Sequence, residues 1–379
     1  MIPVLWVTGP PGVGKTSVAW DLAERLHGMG ADPAYVDVDQ LGICTASPEG
    51  DPHRHRLKER NVAALRRNFS VAGARLLVVS GVVDPARGPD VDRLGGSGVG
   101  VVRLRADPDV LRARLRDRSA RLTRAEGSSV HEDGALEVAE AFDRSGFADW
   151  SVDTTAMPVD EVVGSVLSVV GASIEPGPHP VADELPLDPT SIHGELLWVA
   201  GPTGVGKSTI GFRAYSDVAR TGSPVAFIDV DQLGFCRAAA SSLSLRAQNV
   251  AALCRNVVAV GVRRAVVVGD VGSRAEAALF ERELPDTDVT WCRLQVDDAE
   301  LTRRIVGRGV GGSWAQPGDP LRGRSEAELV SIADRAIATA PARRVGLAVD
   351  VDGMDVAAAA DHLLRTAHWP AEHAAWSDC

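Results

Sequence analysis

Leu5-Trp6-Val7-Thr8-Gly9-Pro10-Pro11-Gly12-Val13-Gly14-Lys15-Thr16 runs from an apolar, strand-like segment into a glycine turn that ends in Gly-Lys-Thr. The design returns at Leu197-Trp198-Val199-Ala200-Gly201-Pro202-Thr203-Gly204-Val205-Gly206-Lys207-Ser208, displaced by 192 residues. Each copy fits G-x-x-x-x-G-K-[ST], with an apolar strand before it and an amphipathic helical period after it, the context in which the pattern acts as a phosphate-binding loop. Glycines let consecutive backbone N–H groups turn inward on phosphate oxygens, and the positive end of the following helix adds to the attraction.

The expected nucleotide contacts are therefore Gly9, Gly12, Val13, Gly14, Lys15, Thr16 and Ser17 in the first copy. In the second they are Gly201, Gly204, Val205, Gly206, Lys207, Ser208 and Thr209. Lys15 and Lys207 are expected at the β- and γ-phosphates of ATP, and the hydroxyls of Thr16 and Ser208 on Mg²⁺. The chain holds only three lysines, Lys15, Lys58 and Lys207, so two of the three lie in these loops. A compact ammonium fits inside such a turn where a guanidinium fork does not.

A repeat displaced by 192 within 379 residues predicts two domains of ordinary size. The net charge of −11 argues against a nucleic-acid partner, because phosphate-backbone binding needs a basic surface. The five cysteines are an odd number without Cys-x-x-Cys spacing, which indicates neither a disulfide framework nor a zinc site and fits a reducing cytoplasm. No apolar run approaches the ~18 residues of a membrane span, and the N-terminal apolar segment passes into the glycine loop rather than a cleavage site. The expectation is a cytoplasmic protein without a membrane partner; its oligomeric state is left open.

Beyond the first loop, Ala34 to Asp39 predicts a short second strand ending in two acids, and alternation places Asp37 and Asp39 on one side of it. Run parallel to the first strand, it opens on the loop's edge, where ligands bind in open α/β sheets. There Asp37 is a candidate to help hold Mg²⁺. Asp39 is a candidate to accept a proton from, or orient, a hydroxyl attacking the γ-phosphate. A solvated polar strand end is the plainer alternative. Asp-Val-Asp-Gln-Leu-Gly recurs at Asp229 to Gly234 at the same offset, which assigns Asp229 and Asp231 the matching roles.

A helix near Leu57 to Ala72 carries Asn61 and Asn68, and its counterpart carries Asn249 and Asn256, in the shared pattern Asn-Val-Ala-Ala-Leu-x-Arg-Asn. Asparagine is a poor helix-interior residue, so seven-residue spacing twice over points to an inward polar face, either in contact with substrate or spent on packing and capping. The strand Leu76 to Val79 ends in Ser80-Gly81, whereas its counterpart ends in Gly269-Asp270. Further on, Arg114 and Arg118 stand one helical turn apart, as do Arg304 and Arg308, so each pair is able to face a polyphosphate. Ser119 to Gly134 and Gly309 to Arg324 read as lids. Each half closes with a strand, a loop and a helix, giving five strands that alternate with helices.

These features resemble the nucleoside-monophosphate-kinase-like group of P-loop small-molecule kinases, which includes shikimate, gluconate and adenylylsulfate kinases and chloramphenicol phosphotransferase. The resemblance rests on the loop, the Asp-x-Asp and the lid helix with Leu111, Arg114, Leu115 and Arg118, and it covers nearly all of each half. It implies an α/β fold of two tandem P-loop NTPase domains, each a doubly wound five-stranded parallel sheet with a helical lid. The domains expected are 1–170 and 195–368, with a proline-rich linker at 171–194 and a tail at 369–379. It implies an acid at the Asp39 position on the acceptor hydroxyl, lid arginines around phosphates or adenine, and the loop Asp153 to Met157 beside the base. The function expected is transfer of the γ-phosphate of ATP, with Mg²⁺, to a small hydroxylated metabolite. Two alternatives stand beside it: an ATPase or nucleotide-gated interaction module, and an enzyme half joined to a non-catalytic, nucleotide-binding half.

Overall fold

The computed structural model describes residues 1–48, 50–121, 132–171, 193–239, 242–309, 318–340 and 345–370, without the side chains of 118–121 and 132–133. The first half is built from β1 (Val4–Thr8), α1 (Lys15–Gly28), β2 (Pro33–Asp37), α2 (His55–Val71), β3 (Leu76–Ser80), β4 (Val99–Arg105), α3 (Pro108–Arg121), α4 (Glu132–Arg144), β5 (Trp150–Asp153) and α5 (Val159–Val170). The second contains β6 (Gly194–Ala200), α6 (Lys207–Arg220), β7 (Ala226–Asp229), α7 (Leu243–Val258), β8 (Arg264–Val268), α8 (Arg274–Glu283), β9 (Thr287–Gln295), α9 (Asp298–Gly309), α10 (Glu326–Thr339), β10 (Leu347–Asp350) and α11 (Val356–Ala367).

Both sheets are fully parallel and share one strand order, β2-β3-β1-β4-β5 and β7-β8-β6-β9-β10. β1 and β6 are central and buried along their whole length, as expected for strands covered on both faces. Trp6 and Trp198 anchor them: each indole N–H donates to the carbonyl just beyond the next strand, Gly81 O at 3.2 Å and Gly269 O at 3.1 Å. Because the strand order reverses about β1 and β6, both phosphate-binding loops emerge at topological switch points. The turn itself demands glycine: at Gly9 (φ +147°) a Cβ would stand 2.3 Å from the Leu104 carbonyl oxygen, and Gly14 (φ +98°) enters α1 in the left-handed region.

The α/β architecture with two five-stranded parallel sheets matches the sequence reading. Two details differ. β2 ends at Asp37, and Asp39 sits in the turn that leads to a short 3-10 segment at Gln40–Gly42, so strand alternation does not relate the two acids. α8 has no counterpart in the first half, where the loop after β3 is irregular over 81–98. Much of the predicted linker (172–192), both lids (122–131 and 310–317) and the tail (371–379) lie outside the described residues. Trp369, 5% exposed, joins the outer core of the second half. No described helix is long and apolar enough to cross a membrane.

The halves are joined by more than a tether. Outer cores lie under α1 and α5 in the first half and under α6 and α11 in the second, but a single inner core is shared, with Leu57, Leu65 and Phe69 beside Leu245, Val250 and Cys254. Each sheet's edge strand is also covered by a segment of the other half. Tyr35 N–H of β2 donates to Phe235 O (2.8 Å), and Phe227 N–H of β7 donates to Ile43 O (2.9 Å). Phe235 packs its ring 4.9 Å from Trp20 and 5.9 Å from Tyr35, while Ile43 packs against the core containing Phe227, beside Phe212 and Tyr215. The exchange is reciprocal at the 192-residue offset, and it pairs open backbone groups on the β2 and β7 edges.

Candidate functional site

At each loop the lysine folds back across its own turn. Lys15 Nζ donates to Pro10 O (3.0 Å), and Lys207 Nζ donates to Gly201 O (2.9 Å) and Pro202 O (3.1 Å). The first helical residue after each lysine then points its hydroxyl at the end of the second strand. Thr16 Oγ1 donates to Asp37 Oδ2 at 2.9 Å, and Ser208 Oγ donates to Asp229 Oδ2 at 2.8 Å. Hydroxyl and carboxylate oxygens are hard donors, the type that Mg²⁺ takes alongside water and phosphate oxygens. Among the described residues there is no group of three His, Cys, Asp or Glu arranged to hold a metal, so a cation at these pairs would complete its shell from elsewhere.

The other oxygen of each strand-end acid organises the turn. Asp37 Oδ1 accepts from Asp39 N–H at 2.9 Å, and Asp229 Oδ1 from Asp231 N–H at 3.0 Å. Burial, reinforced by the neighbouring Asp39 charge, raises the Asp37 carboxyl above its ordinary value. The same causes push Asp229 up to about 6. In the first half the Ser80 hydroxyl bonds Tyr35 OH (2.9 Å) and helps hold Asp37; Val268 occupies that position in the second. Ser80 at the end of β3 is thus a polar partner of the acid on the neighbouring strand.

The second acid of each turn faces outward and meets a cation from the helix behind it. Lys58 Nζ donates to Asp39 Oδ1 at 2.9 Å, and Arg246 Nη1 to Asp231 Oδ1 at 3.2 Å. Asp39 is half exposed. Desolvation works to raise its carboxyl, but the Lys58 and Lys15 ammonium groups outweigh it and hold Asp39 below its usual range. Neither helix cation was singled out from sequence as a site residue. The available signal was Lys58's place among only three lysines.

The four asparagines do not reach this edge. Asn61 Nδ2 donates to Leu41 O (2.5 Å), and Asn61 Oδ1 accepts from Asn256 Nδ2 across the halves (2.8 Å). Asn249 Nδ2 donates to Leu233 O (2.7 Å), and its Oδ1 accepts from Asn68 Nδ2 (2.9 Å). Asn61 and Asn249 are fully buried. This corrects the expectation that Asn61, Asn68, Asn249 and Asn256 contact an acceptor. Their amides tie α2 to α7 and clamp the Asp-Val-Asp-Gln-Leu-Gly turn of each half, which supports the packing and capping alternative.

The arginines of α3 and α9 also turn toward protein. Arg114 donates to Thr154 O (2.7 Å), Thr154 Oγ1 (3.0 Å) and, at 3.5 Å, Val13 O; Arg304 donates to Val205 O at 2.7 Å. Each therefore bonds a backbone oxygen of the phosphate-binding loop and braces it. Arg308 donates to Asp319 Oδ2 at 2.7 Å, and the side chain of Arg118 lies outside the described residues. Thr154, 2% exposed, links the Asp153 to Met157 loop to the same brace.

Residues 5–133 match the family model described as an AAA domain. No curated protein matches the chain. Several solved structures are similar to about half of it. A gluconokinase from Sinorhizobium meliloti 1021 is 19% identical, covering 47% of this chain and 94% of its own at a TM-score of 0.29. The tunicamycin resistance protein of Deinococcus radiodurans is 22% identical, covering 47% of this chain and 99% of its own at 0.32. A shikimate kinase from Acinetobacter baumannii, in complex with shikimate, is 18% identical, covering 46% and 95% at 0.32.

Proposed function

We propose that the chain is an ATP-dependent phosphotransferase that moves the γ-phosphate of ATP to a hydroxyl of a small metabolite. The observation that carries this reading is the division of labour within each Asp-x-Asp turn. One carboxylate is bonded to the loop hydroxyl, and the other, two residues on, is held by a cation at the surface.

In this mechanism the loop N–H groups and Lys15 cradle the phosphates, and Thr16 with Asp37 would hold Mg²⁺, which would supply charge neutralisation at the phosphates. Asp39, kept ionised by Lys58 and Lys15, orients the acceptor hydroxyl and takes its proton as the new O–P bond forms and the bond to ADP breaks. In the second half Ser208 and Asp229 stand in the same places beside the loop, and Asp231 with Arg246 matches Asp39 with Lys58 in position. Arg114 and Arg304 act through the loops that they brace.

A coupled assay of ADP release over a set of hydroxylated metabolites tests the reading. The Asp39→Asn, Asp231→Asn double variant is expected to lose roughly 10²-fold or more of the transfer rate while still binding ATP. Undiminished transfer would eliminate the role given to these acids. A second reading, an ATPase whose turnover alters contacts between the halves, is favoured by the direct ties from each turn to the opposite sheet edge. Steady ATP hydrolysis that no acceptor accelerates would select it.

A further inference from the structure

The two halves share a loop, an Asp-x-Asp turn and a helix cation, but they differ beside the outer acid. In the first half a cavity of about 500 Å³ opens between the start of α2 and the loop that follows β3, within the size range of small-molecule sites. Its walls include His53, His55 and Arg56 on one side and Asp84, Arg87 and Arg93 on the other. His55 and Lys58 stand one turn apart on α2, and Lys58 is the residue bonded to Asp39, so the cavity wall at His55 lies on the helix turn that reaches the outer acid.

The lining acids are already engaged. Asp51 accepts from the Arg56 and Leu57 N–H groups; Asp84 faces Arg87; Glu59 and Asp90 both face Arg93. His55 Nδ1, by contrast, is buried without a partner among the described residues. The loop wall is fixed from beneath by Arg66, 1% exposed, whose guanidinium donates to Ile2 O (2.6 Å), Leu94 O (2.8 Å) and Ser97 O (3.1 Å).

The described residues of the second half do not keep this lining. α2 aligns with α7 at an offset of 188, the register that pairs Asn61 with Asn249 and Lys58 with Arg246. At that offset His55, Arg56 and Glu59 become Leu243, Ser244 and Ala247, and the anchoring Arg66 becomes Cys254. After β8 the chain forms α8, whose Ala277 and Phe280 are fully buried, with the Phe280 ring 4.5 Å from that of Trp198.

We propose that the acceptor site lies in the first half alone, in this cavity, and that it takes a small hydroxylated anion whose anionic group faces Arg56. The second half then holds nucleotide without an acceptor of its own. This inference rests on the phosphotransfer reading above. The test incubates γ-labelled ATP and Mg²⁺ with a protein-free, size-filtered cell extract and measures labelled organic phosphate. Grafting the second half's residues onto α2, His55→Leu with Arg56→Ser, is expected to reduce labelled product by about tenfold or more, the effect of losing charged hydrogen bonds. ATP–Mg²⁺ affinity and the thermal midpoint serve as controls for intact folding. The matching change in the second half, Leu243→Ala with Ser244→Ala, is expected to leave the product level as it was. Wild-type product formation by the α2 graft, or an equal loss in both variants, overturns the assignment. Absence of labelled product with wild-type protein that binds ATP instead removes the phosphotransfer reading and this inference with it.

Discussion

Replacing Asp229 by asparagine should make the second half more stable at pH 8, although it removes a charged group from the candidate cation pair. Asp229 is 4% exposed, and burial together with the Asp231 charge raises its carboxyl from 3.8 to about 6. The folded state therefore binds this proton more tightly than the unfolded chain. The associated stability is fully present below about pH 4 and is lost as pH rises through about 6. At 1.36 kcal/mol per pH unit, the difference between 3.8 and about 6 amounts to about 3 kcal/mol above pH 7, roughly half of it lost between pH 5 and 8. Asparagine is the same size, keeps Oδ1 to accept from Asp231 N–H, presents its NH2 to the Ser208 hydroxyl, which then turns to accept, and carries no charge to desolvate. Amide hydrogen exchange along β7 and β8, measured with a chelator present at pH 5 and pH 8, localises the effect to this sheet. Asp229→Asn is expected to gain about 3 kcal/mol of protection at pH 8, and clearly less at pH 5. A variant that is less stable at pH 8, or whose gain is the same at both pH values, would show that burial of this carboxylate does not cost what the reasoning requires.

Asn61→Ala should destabilise the chain by about 1–3 kcal/mol, because it leaves the Leu41 carbonyl and the Asn256 amide without their bonds. Urea unfolding of Asn61→Ala, Asn256→Ala and the double variant should give a coupling of at least about 0.5 kcal/mol, and strict additivity would refute a direct bond across the halves. Lys58→Met should raise the Asp39 carboxyl, since burial then meets weaker opposition; carboxyl NMR titration reads this directly, and an unmoved titration contradicts the pairing. Arg114→Ala should weaken ATP binding by about tenfold through loss of the Val13 and Thr154 brace, and Arg114→Lys should restore little of it, because an ammonium cannot fork across both partners. Calorimetric titration with ATP–Mg²⁺ compares the three proteins.

The phosphate-binding loops, the strand–helix alternation and the twofold repeat were legible in the sequence because they are local. Gly9, Gly12 and Gly14 are needed for one backbone path, a lysine must reach into one turn, and a central parallel strand must be apolar along its length. The acids at Asp37 and Asp39 were legible as residues but not as geometry. The strand ends between them, so a turn hydrogen bond relates them rather than alternation. What only the tertiary structure decided depends on residues far apart in the chain. Asn61 looks the same in sequence whether it faces a substrate or Asn256, 195 residues away. Arg114 reads as a phosphate ligand until the Val13 and Thr154 oxygens are found within its reach. Lys58 acquires meaning only when α2 brings it to Asp39. Two nearly identical motifs therefore announce two nucleotide loops, whereas the partners folded against each loop distinguish a half with an open, charged cavity from one whose corresponding segment forms α8 around a buried phenylalanine.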